Sequence, residues 1–216
     1  MTENLRAKAI ALYDRFTHEG LDRRAFMTRM TALAGSLAAA EALIATIAAS
    51  PAAAAIVSAD DKRLRTATVT PIPGLTAFMA TPRRTYGRLA TVIVIHENRG
   101  LNDHIRDIAR RLALAGYVAV APDFLSPAGG TPANEDQARD LIGKLDLGAA
   151  TASALALLGA LKARRGGNGR VGVVGFCWGG AFVNRLAVAA GSKLDAGVAY
   201  YGPPPLPPKQ RRCKPR

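Results

Sequence analysis

The sequence predicts an α/β fold, a mainly parallel sheet flanked by helices, and three observations carry that prediction. Apolar, β-branched runs such as LATVIVIHE (89–97) and GRVGVVGF (169–176) suit strands buried on both faces. They alternate with stretches of helical period. The second run leads directly into a glycine-flanked cysteine and the start of a helix.

The elements follow in order. LRTATVT and LTAFMA read as two antiparallel strands around a PIPG turn, because Pro-x-Pro-Gly is turn chemistry. LATVIVIHE is the first buried strand. In NDHIRDIARRLALAG, Ile105, Ile108, Leu112 and Ala115 fall on one stripe and Gly116 stops the helix. YVAVAPD is the next strand. Residues 135–147 and 149–164 read as two helices. GRVGVVGF is a strand, WGGAFVNRLAVAAG a helix and LDAGVAYYG a strand. Strands that alternate with helices in this way build a mainly parallel sheet covered on both faces.

Three segments divide the 216 residues. Residues 1–60 form a helical N-terminal segment, residues 61–202 the α/β domain, and residues 203–216 a proline-rich basic tail. In the first segment an amphipathic helix meets a break at Gly20, followed by the alanine-rich run MTALAGSLAAAEALIATIAAS, then Pro51. The pair Arg23-Arg24, followed by Phe26 and Met27 and then small residues, resembles a twin-arginine export signal. About twenty residues precede the pair, and Glu41 interrupts the apolar run. A charge at mid-membrane costs ~2.5–3.5 kcal/mol, so a stable membrane span is not expected. Export to the periplasm and residence in the cytoplasm as two packed helices are the alternatives. The tail, PPPLPPKQRRCKPR, has no strand or helix period and reads as disordered or polyproline-like.

The net charge of +13 invites a nucleic-acid reading, but the last eight residues alone carry five positive charges. There is no basic helix interleaved with aromatics and no zinc or helix-turn-helix signature, so specific nucleic-acid binding is not expected. Two cysteines, Cys177 and Cys213, make neither a disulfide framework nor a metal-site spacing. A redox role is the weakest reading, since the two are not in a Cys-x-x-Cys pair.

Gly175-Phe176-Cys177-Trp178-Gly179-Gly180 has the form of a strand–turn–helix nucleophile elbow with cysteine in the serine place. The glycines stand where a Cβ would clash. The helix N-terminus beyond the cysteine favours a thiolate, and the Trp178 amide would point at a developing oxyanion. The structural alternative is a buried cysteine after a strand. The strand at 89–97 ends in His96-Glu97 and opens a loop, from which either residue could reach Cys177. The alternative for Glu97 is a solvated loop residue. His104 reads as a surface residue. Arg83, Arg84 and Arg99 could meet a substrate carboxylate, although surface placement suits each better.

HENRGLNDHIRDIARRLALAGYVAVAPDFL and GFCWGG, in this order and spacing, resemble the dienelactone hydrolase family of the α/β-hydrolase fold, over about residues 63–202. The resemblance implies hydrolysis of a small ester or lactone, with Cys177 attacking the carbonyl. It implies that Glu97 pairs with the thiol at rest, that the amides of Asn98 and Trp178 form the oxyanion hole, and that no cofactor or metal is needed. His96 is an auxiliary candidate.

The resemblance is incomplete in one respect. The fold orders its triad as nucleophile, acid, histidine, yet only Asp195 follows Cys177 among the acids, at the wrong end of its strand. The three histidines, His18, His96 and His104, all precede it. Family members continue after YYGPP with two more strands and their helices. The expectation is therefore a fold lacking its last strands and helices, with a shifted reading frame after Pro204 or Pro205 as one origin of the tail. An apolar strand edge would be exposed, open to self-association. Three readings stand: a hydrolase using Cys177, an inactive fragment of one, and a non-enzymatic envelope protein.

Overall fold

The computed structural model describes residues 3–18, 21–49 and 56–202. Gly20, Pro51 and the tail at 203–216, with Cys213, lie outside them. Two compact units form, Met1–Ile56 and Val57–Arg216.

The first unit holds three helices, α1 (Glu3–His18), α2 (Arg23–Ala34) and α3 (Leu37–Ala49). The arginine pair opens α2, where a positive charge opposes the helix dipole. Asp22 answers it: its carboxylate accepts the amides of Arg24 at 2.8 Å and Ala25 at 3.3 Å, a helix N-cap. The alanine-rich run expected as one stretch is split. Gly35 ends α2 at φ 85°, its N–H donating to the Thr31 carbonyl, and Ser36 then caps α3 through the Ala39 amide. Ala9, Phe26, Met30, Ala40 and Leu43 form the core of this unit, with Phe16 stacked on Phe26. Among the described residues, no single helix is long and apolar enough to cross a membrane.

The second unit is a six-stranded mixed sheet in the order β1-β2-β4-β3-β5-β6. Its strands are β1 (Leu64–Ile72), β2 (Leu75–Pro82), β3 (Leu89–Ile95), β4 (Val118–Pro122), β5 (Gly167–Phe176) and β6 (Ala196–Tyr200). β1 and β2 are antiparallel across a two-residue turn in which Gly74 takes φ 75° and Ile72 faces Leu75. Pro71 is tolerated because β1 lies at the sheet edge. β2 and β4 are antiparallel, and β4-β3-β5-β6 are parallel.

Helices α4 (Asp103–Leu114), α5 (Glu135–Gly143), α6 (Leu147–Lys162) and α7 (Trp178–Ala190) flank the sheet. β3 shows why its sequence is apolar throughout. Ile93 and Ile95 pack with α6 and α7 on one face, while Val94 packs with α4 on the other. β6 closes the sheet on one side with all five residues exposed, including Val198 and Tyr200. Among the described residues β6 is an edge strand, and its exposed apolar residues match the edge expected from the sequence.

One buried polar cluster anchors α4. The Asp107 carboxylate accepts the Val57 amide at 2.8 Å, and Arg110 Nε donates to the Val57 carbonyl at 2.8 Å. The two charges lie 3.6 Å apart, both buried. Removing one partner leaves the other charged and uncompensated. Asp107→Ala is therefore expected to lower stability by about 3 kcal/mol in denaturant titration. A loss below about 1 kcal/mol, the range of exposed pairs, would contradict this account.

Candidate functional site

The C-terminal ends of the parallel strands gather the site. β5 ends at Phe176, and Cys177 then takes φ 54° and ψ −116° before α7 begins. A side chain in the left-handed region is strained, at about 1–3 kcal/mol, and persists only where its surroundings hold it. Here the Cys177 N–H donates to the Tyr200 carbonyl at 3.1 Å, and its own carbonyl accepts the Ala181 amide at 3.1 Å. The first bond carries the β5–β6 ladder one residue past the strand. The last bond ties the turn into α7.

Glycines allow this turn to close. A Cβ on Gly179 would lie 2.5 Å from the His96 carbonyl oxygen and 2.7 Å from that of Ile95. A Cβ on Gly175 would run into the Gly179 carbonyl, and one on Gly180 into that of Tyr200. The first turn of α7 thus sits directly on the ends of β3 and β6. Cys177 is half-buried and carries a free thiol. Trp178 is the first residue of α7, so its N–H has no acceptor within the helix.

The second component is the loop from β3 to α4. His96 is fully buried, with its ring parallel to that of Trp178 at 5.4 Å and edge-on to Phe124. Its Nδ1 lies 2.7 Å from the Glu97 carbonyl oxygen, and its Nε2 accepts the Phe124 amide at 3.3 Å. Burial drives the His96 pKa below the ordinary imidazole value, against the opposing pull of the Glu97 carbonyl and the nearby Asp123 carboxylate. Glu97 and Asn98 are half-buried beside it. Tyr201 Oη donates to Glu97 Oε1 at 3.2 Å. Sequence reasoning missed Tyr201, which follows β6 directly and has φ 40°.

A third loop, after β4, braces the second. The buried Asp123 accepts the Leu125 amide at 3.0 Å, the Thr131 amide at 2.8 Å and the Thr131 hydroxyl at 2.8 Å. Thr131 Oγ1 in turn accepts the Leu101 amide at 2.9 Å. Gly100, at φ 73°, leaves the space that Thr131 fills. A cavity of about 470 Å³ opens beside the loop, lined by Asn98, Arg139, Ile142, Gly143, Leu145, Leu147 and Trp178. Its walls are largely aliphatic and aromatic, and both proposed oxyanion residues border it.

The other candidates lie elsewhere. Asp195 stands just before β6, bonded to Lys162 at 2.6 Å and to the Val171 amide at 2.7 Å, so it serves the N-terminal end of β6 and not the site. Arg99 pairs with Glu135 at 3.2 Å, and Arg83 Nε donates to the Leu64 carbonyl. His104 is half-buried in the first turn of α4.

The profile of the dienelactone hydrolase family matches residues 75–214. A candidate carboxymethylenebutenolidase of Escherichia coli (strain K12) is 38% identical over 163 residues, covering 72% of this chain and 59% of that protein. A candidate hydrolase fragment, YghX, of the same strain is 49% identical over 69 residues, covering 32% of this chain and 59% of the fragment. The crystal structure of a candidate dienelactone hydrolase from Klebsiella pneumoniae subsp. pneumoniae MGH 78578 superposes with a TM-score of 0.57 at 32% identity, over 64% of this chain and 60% of that one. The chain spans 59% of the length of the two curated relatives.

Two outcomes follow from this geometry. Gly179→Ala forces backbone apart and should cost about 1–3 kcal/mol of stability; an unchanged denaturation midpoint would show that the close approach is not needed. Asp195 is held below the usual carboxylate range, first by its hydrogen bond to Lys162 and then by the Val171 amide. Its contribution to stability is present above the ordinary aspartate value, about 3.9, and is lost as pH falls through the lower folded value. Melting of Asp195→Asn should lie below wild type at neutral pH and converge with it in acid. A gap that widens in acid would contradict the assignment.

Proposed function

Because the chain belongs to the dienelactone hydrolase family, we propose that it hydrolyses small esters or lactones through a thioacyl intermediate on Cys177. The observation that carries this reading is the strained Cys177 at the strand-to-helix turn, with the free first amide of α7 next to it. A structural cysteine has no need of that backbone conformation.

In this reading the Cys177 sulfur attacks the carbonyl carbon, and its proton passes to the Glu97 carboxylate. The carbonyl π electrons move to oxygen, where the N–H groups of Asn98 and Trp178 receive the negative charge. Collapse of the intermediate expels the alkoxide, which takes the proton from Glu97 and leaves a thioester. Water then attacks the thioester and releases the acid and the thiol. Tyr201 donates a hydrogen bond to Glu97 Oε1 and so restrains the carboxylate. The cavity lined by Ile142, Leu145, Leu147 and Trp178 suits a substrate with a compact apolar group.

A specific observation also favours a second reading, a chain in which turnover is lost. His96 engages both ring nitrogens, and Asp195 serves the other end of the sheet. Neither offers the imidazole relay that activates a serine or cysteine hydrolase. A thiol tolerates this loss better than a hydroxyl, since it is the stronger nucleophile and a few per cent is thiolate near neutral pH without help.

That chemistry sets the test. With an activated ester such as p-nitrophenyl acetate, Cys177→Ala and Cys177→Ser should both fall to background, at least about 10²-fold below wild type. Serine fails because the Glu97 carboxylate can take a proton from a thiol but is too weak a base to take one from a hydroxyl without the imidazole relay. Wild type at background would favour the inactive reading. Activity retained in Cys177→Ala would remove the nucleophile from Cys177.

A further inference from the structure

We infer that His96 is the positioning residue that aims the Asn98 amide into the oxyanion hole. The inference rests on the hydrolase reading for its catalytic consequence, and on geometry alone for the hold on the peptide.

A peptide unit is planar and trans, so its C=O and N–H point in opposite directions. Whatever fixes the Glu97 carbonyl therefore fixes the direction of the Asn98 N–H. That carbonyl has two donors, the His96 ring at Nδ1, 2.7 Å away, and the Gly100 amide at 3.2 Å. The proton is on Nδ1 because of the other side of the ring. The Phe124 N–H points at Nε2, and an amide N–H only donates, so Nε2 carries the lone pair. The result is a neutral imidazole locked in one tautomer.

The ring has no freedom to turn. It is fully buried, parallel to the Trp178 ring at 5.4 Å and edge-on to Phe124 at 5.7 Å. One imidazole thus touches both halves of the hole. Its N–H sets the peptide of one donor, and its face packs on the side chain of the residue that supplies the other. Burial depresses the His96 pKa, which keeps the ring in the neutral form this arrangement uses. With both nitrogens engaged, His96 holds the geometry and does not act as the base for Cys177.

The experiment compares the full chain with His96→Asn and His96→Leu. An asparagine amide reaches the Nδ1 position and can donate to the Glu97 carbonyl, whereas leucine cannot. Three quantities are read: the imidazole tautomer and the Asn98 amide resonance by ¹⁵N NMR, kcat and KM for an activated ester, and the rate ratio between that ester and its thionoester. The expected results are an Nδ1–H tautomer and an Asn98 resonance that moves in His96→Leu but stays near wild type in His96→Asn. In His96→Leu, kcat should fall about 10²-fold, the size of a lost oxyanion donor, with KM within about twofold. The preference for oxygen over sulfur should shrink in the same variant, and His96→Asn should recover most of both losses. A purely structural role would lower active protein without moving that preference.

An Nε2–H tautomer, an unmoved Asn98 resonance in His96→Leu, or an unmoved oxygen preference overturns the inference. If His96→Leu does not fold, His96→Gln replaces it. Glutamine reaches the Nε2 side instead, so the inference requires His96→Asn to exceed His96→Gln in kcat, and the reverse order overturns it. A wild-type chain with the expected tautomer and amide response but no ester turnover contradicts the hydrolase reading and supports the hold of His96 on the peptide.

Discussion

The site depends on how closely the first turn of α7 approaches the ends of β3 and β6. Gly179 lies against the carbonyls of Ile95 and His96, and Gly180 against that of Tyr200, at separations that leave no room for a Cβ. This approach sets the first turn of α7 against the start of the β3–α4 loop, where the His96 and Trp178 rings lie parallel. It also supplies the acceptor, the Tyr200 carbonyl, that holds the Cys177 amide in its strained conformation. β6 therefore has a role beyond closing the sheet, although its own residues are exposed.

Around that contact, the loops are fixed by polar groups that all have partners. Asp123 accepts three hydrogen bonds and, through Thr131, reaches the backbone of Leu101. His96 links the loop after β4 to the Glu97 peptide. Buried polar groups are costly unless satisfied, and when satisfied they specify a single arrangement. The rigid part of the site is thus its backbone, where amide direction matters. In the cavity beside it, Ile142, Leu145 and Leu147 bear on the shape of a substrate, while Asn98 and Trp178 border the same space.

Most of the fold was legible in the sequence because the parallel strands are buried on both faces and so are apolar without interruption. The elbow was legible for a related reason: glycine at 175 and 179 is demanded by backbone contact, and that demand is local. Other features arise between distant segments and leave no local mark. Tyr201 meets Glu97 across a separation of 104 residues. Nothing in HEN distinguishes a histidine that could reach a thiol from one buried between Trp178 and Phe124. Asp123 reads as the polar end of a strand, and its pairing with Thr131 depends on a loop whose path the sequence does not disclose. The break at Gly35-Ser36 was missed because the alanine pattern continues on both sides, while the capping chemistry rests on two residues.

The central claim is that Cys177 is a nucleophile poised on an elbow that still works with His96 engaged elsewhere. It is tested most directly by mass spectrometry of the intact chain, quenched in acid soon after mixing with an activated ester, followed by peptide mapping. Acylation needs the thiol and the oxyanion amides, while release of the acyl group needs an activated water. The account predicts one acyl group per chain, on the peptide containing Cys177, that builds up faster than it is lost. An unmodified chain during measurable turnover, or an acyl group on any other residue, would contradict it.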